Sequence, residues 1–225
     1  MIIPAAGFGE RMGATISKQF LMLNGKPVLA HTLERFQQCE EVQEIIVATQ
    51  KNSFPFLEEI RTTYALSKMR TPIEGGARRQ DSIYNAMKVV DPRSEIIAVH
   101  DAVRPLVHIK EIVQSIETAK YYGASIVAVR AKDTIKKAAT DGRVEETLNR
   151  SSLWSAQTPQ TFRRKILFDA YEHAAENGIT ATDDSFLVEK IGIFPIIVEG
   201  SYENIKITTP DDLLLAELLL KRFVP

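Results

Sequence analysis

Five cations stand at or near the ends of runs that pattern as strands: Arg11, Lys18, Arg79, Arg104 and Lys206. Acids in comparable places are few, Asp81 and Asp101. A set rich in fixed positive charge and poor in bases suits a reaction whose nucleophile is already ionised. Attack of one phosphate on another is such a reaction. It asks for charge stabilisation and positioning more than for proton transfer. Other chemistries lack their residues. The sequence has no Cys/His cluster with metal-ligand spacing and no Gly-x-Ser-x-Gly elbow. Its histidines, His31, His100, His108 and His173, are scattered, and His31 and His173 fall in helical patterns where packing or surface roles are usual.

Two of the cations belong to Ile2 to Phe20, IIPAAGFGERMGATISKQF. A short apolar strand, Met1–Ile3, breaks there into a loop with Ala5, Ala6, Gly7 and Gly9. Small residues let the backbone come close to a ligand, and successive N–H groups can face an anion. With Arg11 and Lys18 added, the loop has what a polyphosphate needs. The spacing fits neither the P-loop, which ends Gly-Lys-Ser/Thr, nor the dinucleotide fingerprint, because Met12 stands where its third glycine belongs. A loop directly after the first strand is, however, where open α/β sheets bind ligands.

The elements that would hold these residues alternate. Lys26-Pro27 opens a helix with Val28, Leu29, Thr32, Leu33 and Phe36 on one face. Glu44–Gln50 is a β-branched run typical of a buried parallel strand. Ser53 and Pro55 start a second helix, and a short strand follows near Arg70–Ile73. The run from Glu74 to Ser82, EGGARRQDS, is a second Gly-rich turn entering a helix, and it contributes Gly76, Arg79 and Ser82. Glu95–Val99 is a buried strand ending in His100-Asp101-Ala102-Val103-Arg104-Pro105. Ile109–Tyr121 is an amphipathic helix stopped by Gly123, and Ser125–Val129 is the next strand. Later come a helix over Arg163–Asn177 closed by Gly178, a helix capped by Thr182-Asp183-Asp184, and strands at Phe194–Val198 and Asn204–Thr208. The last helix begins at Thr209-Pro210-Asp211-Asp212. It is so apolar that it is expected to be buried. The rhythm predicts an α/β, Rossmann-like, mostly parallel sheet with helices on both faces.

Lys132–Asn149, KDTIKKAATDGRVEETLN, breaks that rhythm. Asp141-Gly142 is a strong hairpin signal, and Thr134–Lys136 can pair with Val144–Thr147 across it. A lone two-stranded hairpin is marginal in water, so this arm is either a loose surface hairpin or packs on something, for which a second subunit is the economical candidate.

Length and composition set the limits. The 225 residues suffice for one α/β domain with an appendage, 44% hydrophobic and 25% charged residues are ordinary globular usage, and the net charge of −1 offers no global field for nucleic acid. A single Cys39 cannot form an internal disulfide, which fits a reducing compartment. No basic leader is evident and apolar runs stay far below the roughly 18 residues of a membrane span, so a cytoplasmic enzyme is expected.

Two residues invite opposed explanations. Lys206, between Ile205 and Ile207, is costly in a strand unless its charge meets a partner; otherwise it snorkels from an edge. Asp101 could bind a ribose hydroxyl or Mg²⁺, or merely cap a turn.

The segments IPAAGFGERM…KQF, GGARRQDSI, VHDAVRP, DTIKK, RSSLWSAQTPQTF, TDDSFLVE and NIKITTPDDL span the chain. Together they resemble the 2-C-methyl-D-erythritol 4-phosphate cytidylyltransferases of the non-mevalonate isoprenoid pathway. The resemblance implies a nucleotide-diphospho-sugar transferase type of domain over 1–225, with a dimerisation arm at 131–150. It implies that Arg11 and Lys18 stabilise the transition state at the CTP α-phosphate, and that Pro4, Ala5, Ala6, Gly7, Gly9, Gly76, Arg79, Ser82, Asp101 and Ala102 serve the nucleotide. It places Arg104, Thr134, Arg150, Thr158, Thr182, Lys206 and Thr208 around the polyol phosphate, counts Arg150 and Lys206 as catalytic, and brings Mg²⁺ with CTP and a homodimer. One departure is Ala77, where the family often has an acid, so base recognition falls to backbone groups. The competing possibilities are a cytidylyltransferase for another polyol phosphate, such as ribitol 5-phosphate, and a non-catalytic nucleotide-binding module. The module predicts loss of the catalytic cations, yet Arg11 and Lys18 are present. A dehydrogenase is disfavoured because Ala48-Thr49-Gln50, not an acid, ends the second strand.

Overall fold

The computed structural model describes residues 1–7 and 17–222; Gly9 and Arg11 lie outside the described residues. In chain order the elements are β1 (Ile2–Pro4), β2 (Met22–Leu23), β3 (Lys26–Pro27), α1 (Val28–Gln38), β4 (Ile46–Thr49), α2 (Phe54–Thr63), β5 (Ile73–Glu74), α3 (Arg79–Met87), β6 (Ile96–Val99), α4 (Ile109–Tyr122), β7 (Ala124–Arg130), β8 (Lys136–Ala138), β9 (Val144–Thr147), β10 (Trp154–Arg163), α5 (Arg164–Glu176), α6 (Asp184–Lys190), β11 (Ile196–Glu199) and α7 (Pro210–Leu220).

Among the described residues the central sheet has seven strands in the order β11-β7-β10-β6-β1-β4-β5. Its pairs are parallel except where β10 runs antiparallel between β6 and β7. Successive side chains of a strand point to opposite faces, and β1 shows what that demands of the sequence. Ile3 joins Val47 beneath α1, α2 and α4, packed with Leu33, Phe36, Leu57 and Ile112. Ile2 joins Ile46 on the other face beneath α3, α5 and α6, packed with Ile83, Phe162, Leu167 and Val188. A strand covered on both faces has no use for alternation, so it reads as an unbroken apolar run. The chain leaves β1 toward β4 on one side and returns as β6 on the other. That reversal of strand order opens a crevice at the carboxyl ends of β1 and β6.

Three expectations need correction. The first is α7. Leu214 and Leu218 are 60% and 61% exposed. Leucines occupy every side of this helix, while only the face carrying Ala216 and Leu220 meets Leu23, Val28, Val103, Leu106 and Ile207. The second is 204–208, which is not a strand. Its backbone bonds are local or single: Asn204 N–H to Ser201 O at 3.1 Å, Ile205 N–H to Glu203 O at 2.7 Å and Ile207 N–H to Val103 O at 2.9 Å. The third is Trp154–Arg163, a ten-residue antiparallel strand over a stretch where no strand is expected from the sequence.

The hairpin forms, with its first strand at Lys136–Ala138, two residues later than expected, Lys136 opposite Thr147 and Gly142 at φ 85° in the turn. Its strand residues are exposed. The foot is tied to its own chain. Tyr202 donates its hydroxyl to Arg130 O at 2.9 Å, and Lys132 Nζ sits 3.4 Å from the centroid of the Tyr202 ring.

Candidate functional site

Three loops meet at the crevice. The first, after β1, is drawn toward β4: Ala5 O accepts from the Gln19 amide at 2.7 Å and from the Thr49 hydroxyl at 3.1 Å, and Ala6 O accepts from the Gln50 amide at 3.1 Å. The second is the glycine pair after β5. Gly76 N–H donates to Ser82 Oγ at 3.0 Å. A Cβ at Gly75 would lie 2.6 Å from Ala6 Cβ and 2.9 Å from Ser82 Oγ, and one at Gly76 would run into Asp81. Only glycine permits this approach of the two loops. The third is the turn after β6, which carries Asp101 and Arg104.

The cleft between them is lined by Pro4, Ala5, Ala6, Gly7, Lys18, Gly76, Arg79, Ser82, Asp101, Ala102 and Lys206, among others. The predicted nucleotide residues that are described therefore come together, with Lys18 and Lys206. Arg104 stands directly behind, and its Nε donates to Asp101 Oδ2 at 3.1 Å.

Asp101 is the electrostatic centre. Lys206 Nζ lies 3.0 Å from Oδ2 and Arg79 Nε 3.7 Å from Oδ1. Burial alone would raise the Asp101 carboxyl, but the charges of Lys206, Arg79 and Arg104 outweigh it and hold the group well below the usual carboxylate range. Asp101 is thus an anion, and Lys206 meets a buried partner instead of snorkelling from a strand edge. Arg79 also donates through Nη2 to the buried Asp184 at 2.8 Å, and Asp184 accepts from the Tyr171 hydroxyl at 2.5 Å. Burial lowers Arg79, whereas Asp184 and Asp101 raise it and win. Asp184 was legible only as part of a helix cap; nothing in its spacing ties it to Arg79. The other acid expected near the site, Asp81, turns outward and pairs with Arg78 at 2.8 Å.

The remaining predicted residues lie elsewhere. Thr158 sits behind Asp101 and accepts its backbone N–H at 3.0 Å. A register shift between Ala156 and Gln160 in the β10–β7 ladder frees that stretch from regular pairing, as bulges do. Thr208 donates its hydroxyl to Asp212 at 2.8 Å. Thr182 lines a separate groove with Trp154 and Phe186. Thr134 and Arg150 belong to the arm; Arg150 is exposed and donates to Lys132 O at 2.6 Å. Within one chain neither arm residue lines the cleft.

Among the described residues no three His, Cys, Asp or Glu side chains group to hold a metal by themselves. A Mg²⁺ bound mainly by phosphate oxygens needs only one or two carboxylates. Asp101, ionised and in the cleft, fits that lesser requirement.

The arrangement is a crevice carrying Lys18, Arg79 and Lys206 beside two closely apposed small-residue loops, and such a crevice can receive a polyphosphate. Comparisons with known proteins give the family. The family model described as IspD: 2-C-methyl-D-erythritol 4-phosphate cytidylyltransferase matches residues 1–222. A protein of that name from Syntrophus aciditrophicus (strain SB) is 45% identical over 222 residues, covering 98% of this chain and 95% of its own. The crystal structure of 4-diphosphocytidyl-2C-methyl-D-erythritol synthase from Anaerococcus prevotii DSM 20548 superposes with a TM-score of 0.88 at 32% identity, covering 98% of this chain and 95% of that one. That of the Francisella tularensis 2-C-methyl-D-erythritol 4-phosphate cytidylyltransferase does so with a TM-score of 0.81 at 39% identity, covering 97% of each chain. The chain belongs to the IspD family of 2-C-methyl-D-erythritol 4-phosphate cytidylyltransferases.

Proposed function

We infer that the protein transfers CMP from CTP to 2-C-methyl-D-erythritol 4-phosphate, giving 4-diphosphocytidyl-2-C-methyl-D-erythritol and pyrophosphate. The observation that carries this reading, beyond family membership, is the junction at Asp101. Cations from the nucleotide side, Arg79, and from the acceptor side, Arg104 and Lys206, converge on one carboxylate. Two anionic substrates can thus be held against each other in one crevice.

The acceptor's phosphate oxygen is the nucleophile and is already ionised at neutral pH, so no general base is required. It attacks the α-phosphorus, and pyrophosphate leaves. Lys18 faces the triphosphate and meets charge that grows on the α-phosphate oxygens; Arg11 has the same role. The small-residue loops bring backbone donors to the nucleotide, while Lys206 and Arg104 orient the acceptor phosphate. When Mg²⁺ accompanies CTP, Asp101 would help hold it, and the ion would neutralise charge on the phosphates.

The exposed arm supports a homodimer in which Thr134 and Arg150 enter the partner's cleft. Among the described residues, no helix is long and apolar enough to cross a membrane, which is compatible with a cytoplasmic enzyme.

The test is steady-state pyrophosphate release from CTP with methylerythritol phosphate and with ribitol 5-phosphate as acceptors. A larger kcat/KM for methylerythritol phosphate is expected. Preference for ribitol 5-phosphate would move the protein to the rival polyol specificity.

A further inference from the structure

Behind the acceptor side of the cleft lies a buried histidine that the transfer step does not touch. His100 is fully buried at the end of β6. Its backbone N–H donates to Ile2 O at 3.0 Å, and its ring packs edge-on to Phe36 with centroids 4.8 Å apart.

The surroundings of the ring fix its tautomer. Nε2 is 3.1 Å from the carbonyl oxygen of Arg104. A carbonyl oxygen only accepts, so Nε2 carries the hydrogen. In a neutral ring Nδ1 then only accepts. The atom facing Nδ1, at 3.0 Å, is Thr158 Oγ1, so the Thr158 hydroxyl donates to it. The same oxygen accepts the Asp101 backbone N–H at 3.0 Å. The chain of donors runs from the Asp101 amide through Thr158 and His100 to the Arg104 carbonyl.

That chain closes on itself. Arg104 returns Nε to Asp101 Oδ2 at 3.1 Å and gives Nη1 to Asn204 O at 2.8 Å, while the Asn204 amide donates to Thr158 O at 3.0 Å. One imidazole therefore braces both ends of the turn that presents Asp101 and Arg104. It also ties that turn to β10 through Thr158, while Arg104 and Thr158 tie it to Asn204 in the segment leading to Lys206. Burial pushes the ring's pKa down to about 4, so the neutral form persists at neutral pH.

We propose that His100 is a positioning residue for the acceptor: as the neutral, Nε2-protonated tautomer it orients the Thr158 hydroxyl and pins the 101–104 turn, setting Asp101 and Arg104 against Lys206. The proposal rests on the acceptor role given to Lys206 and Arg104 above. His100 touches no substrate and acts through the turn.

Two variants separate its two contacts. In His100→Asn the shorter amide can still accept from Thr158 but cannot reach Arg104. In His100→Gln the longer amide can still donate to the Arg104 carbonyl while the contact to Thr158 is lost. Each is expected to fold, to lower kcat/KM for the polyol phosphate about 10-fold or more, and to raise KM for CTP by a clearly smaller factor, carried by Asp101 and Ala102 of the same turn. A merely structural role would loosen both subsites together, so equal rises in both KM values overturn the proposal, as do unchanged kinetics in both variants. Nitrogen-15 NMR of histidine-labelled wild-type protein gives a second readout that does not depend on turnover. It should show the His100 ring, identified by its loss in His100→Asn, with a protonated ε nitrogen and a bare δ nitrogen at neutral pH, the tautomer that His31 also takes against Leu23 O at 2.8 Å. A δ-protonated or doubly protonated His100 ring overturns the proposal. Wild-type protein that releases no pyrophosphate would instead overturn the reaction itself, and is distinguished by being measured first.

Discussion

Lys206 Nζ lies 3.0 Å from Asp101 Oδ2, although the two residues come from opposite halves of the chain. The contact joins the segment after β11 to the turn after β6. It places Lys206, which we assign to the acceptor, on a carboxylate that also faces Arg79. Removing the ammonium leaves Asp101 with Arg104 and Arg79, so the turn should hold while the acceptor loses a charge-assisted contact. Lys206→Ala is expected to raise KM for the polyol phosphate by about 10-fold or more, far beyond any change for CTP. Equal effects on the two substrates would reject the assignment.

Lys18 lines the same cleft, where we assign it to the nucleotide. Charge grows on the α-phosphate oxygens as the new bond forms, so the lysine should act on the transition state more than on binding. Lys18→Ala is expected to lower kcat by about 10²–10³-fold, the size typical of removing one preorganised donor. Unchanged kcat with a raised KM for CTP would mean uniform binding instead.

His100 predicts how stability responds to acid. Its folded pKa of about 4 lies below the unperturbed value of 6.5. Between those values the unfolded chain takes up a proton that the folded chain refuses. Stability is therefore flat above about pH 6.5 and falls toward pH 4 by about 1.4 kcal/mol per unit from this group. Denaturant unfolding across that window should give a shallower acid slope for His100→Asn than for wild type. Identical slopes would contradict the buried neutral ring.

The arm makes a prediction about subunits. Arg150 is exposed at its foot and, within one chain, does not line the cleft. If it works in the partner's cleft, Lys18→Ala and Arg150→Ala chains, each nearly inactive alone, should complement when unfolded together and refolded. Random pairing makes half the dimers mixed. One of the two sites in each mixed dimer is then intact, so about a quarter of wild-type activity should return. No recovery, with mixed dimers verified by mass, would place Arg150 in its own chain.

Much of this organisation was legible in the sequence, and the reasons are physical. β1, β4, β6 and β7 are buried on both faces, so their sequences are continuous apolar runs. The cleft loops announce themselves because close packing demands Gly75, Gly76 and the alanines after β1. The failures also have causes. Leucine content says how apolar α7 is, but not that its own fold covers only one of its faces. Asn204–Thr208 has β-branched residues, yet segment 204–208 finds no ladder partner and lies in place through side chains. β10 was obscured by Thr158-Pro159-Gln160, since proline interrupts a strand signal, and the strand there carries a register shift. Asp184 and His100 were hidden for another reason: each acts through a long-range contact, to Arg79 and to Thr158, that no local spacing encodes.

The central claim is that CMP moves as a unit from CTP to the methylerythritol phosphate. CTP labelled with phosphorus-32 at the α position tests it directly. In the presence of Mg²⁺, CTP and the acceptor, the label should leave CTP and appear in the diphosphocytidyl product, with an equal amount of unlabelled pyrophosphate released. Label remaining in CTP, or appearing in CMP rather than in the acceptor's product, would contradict the transfer.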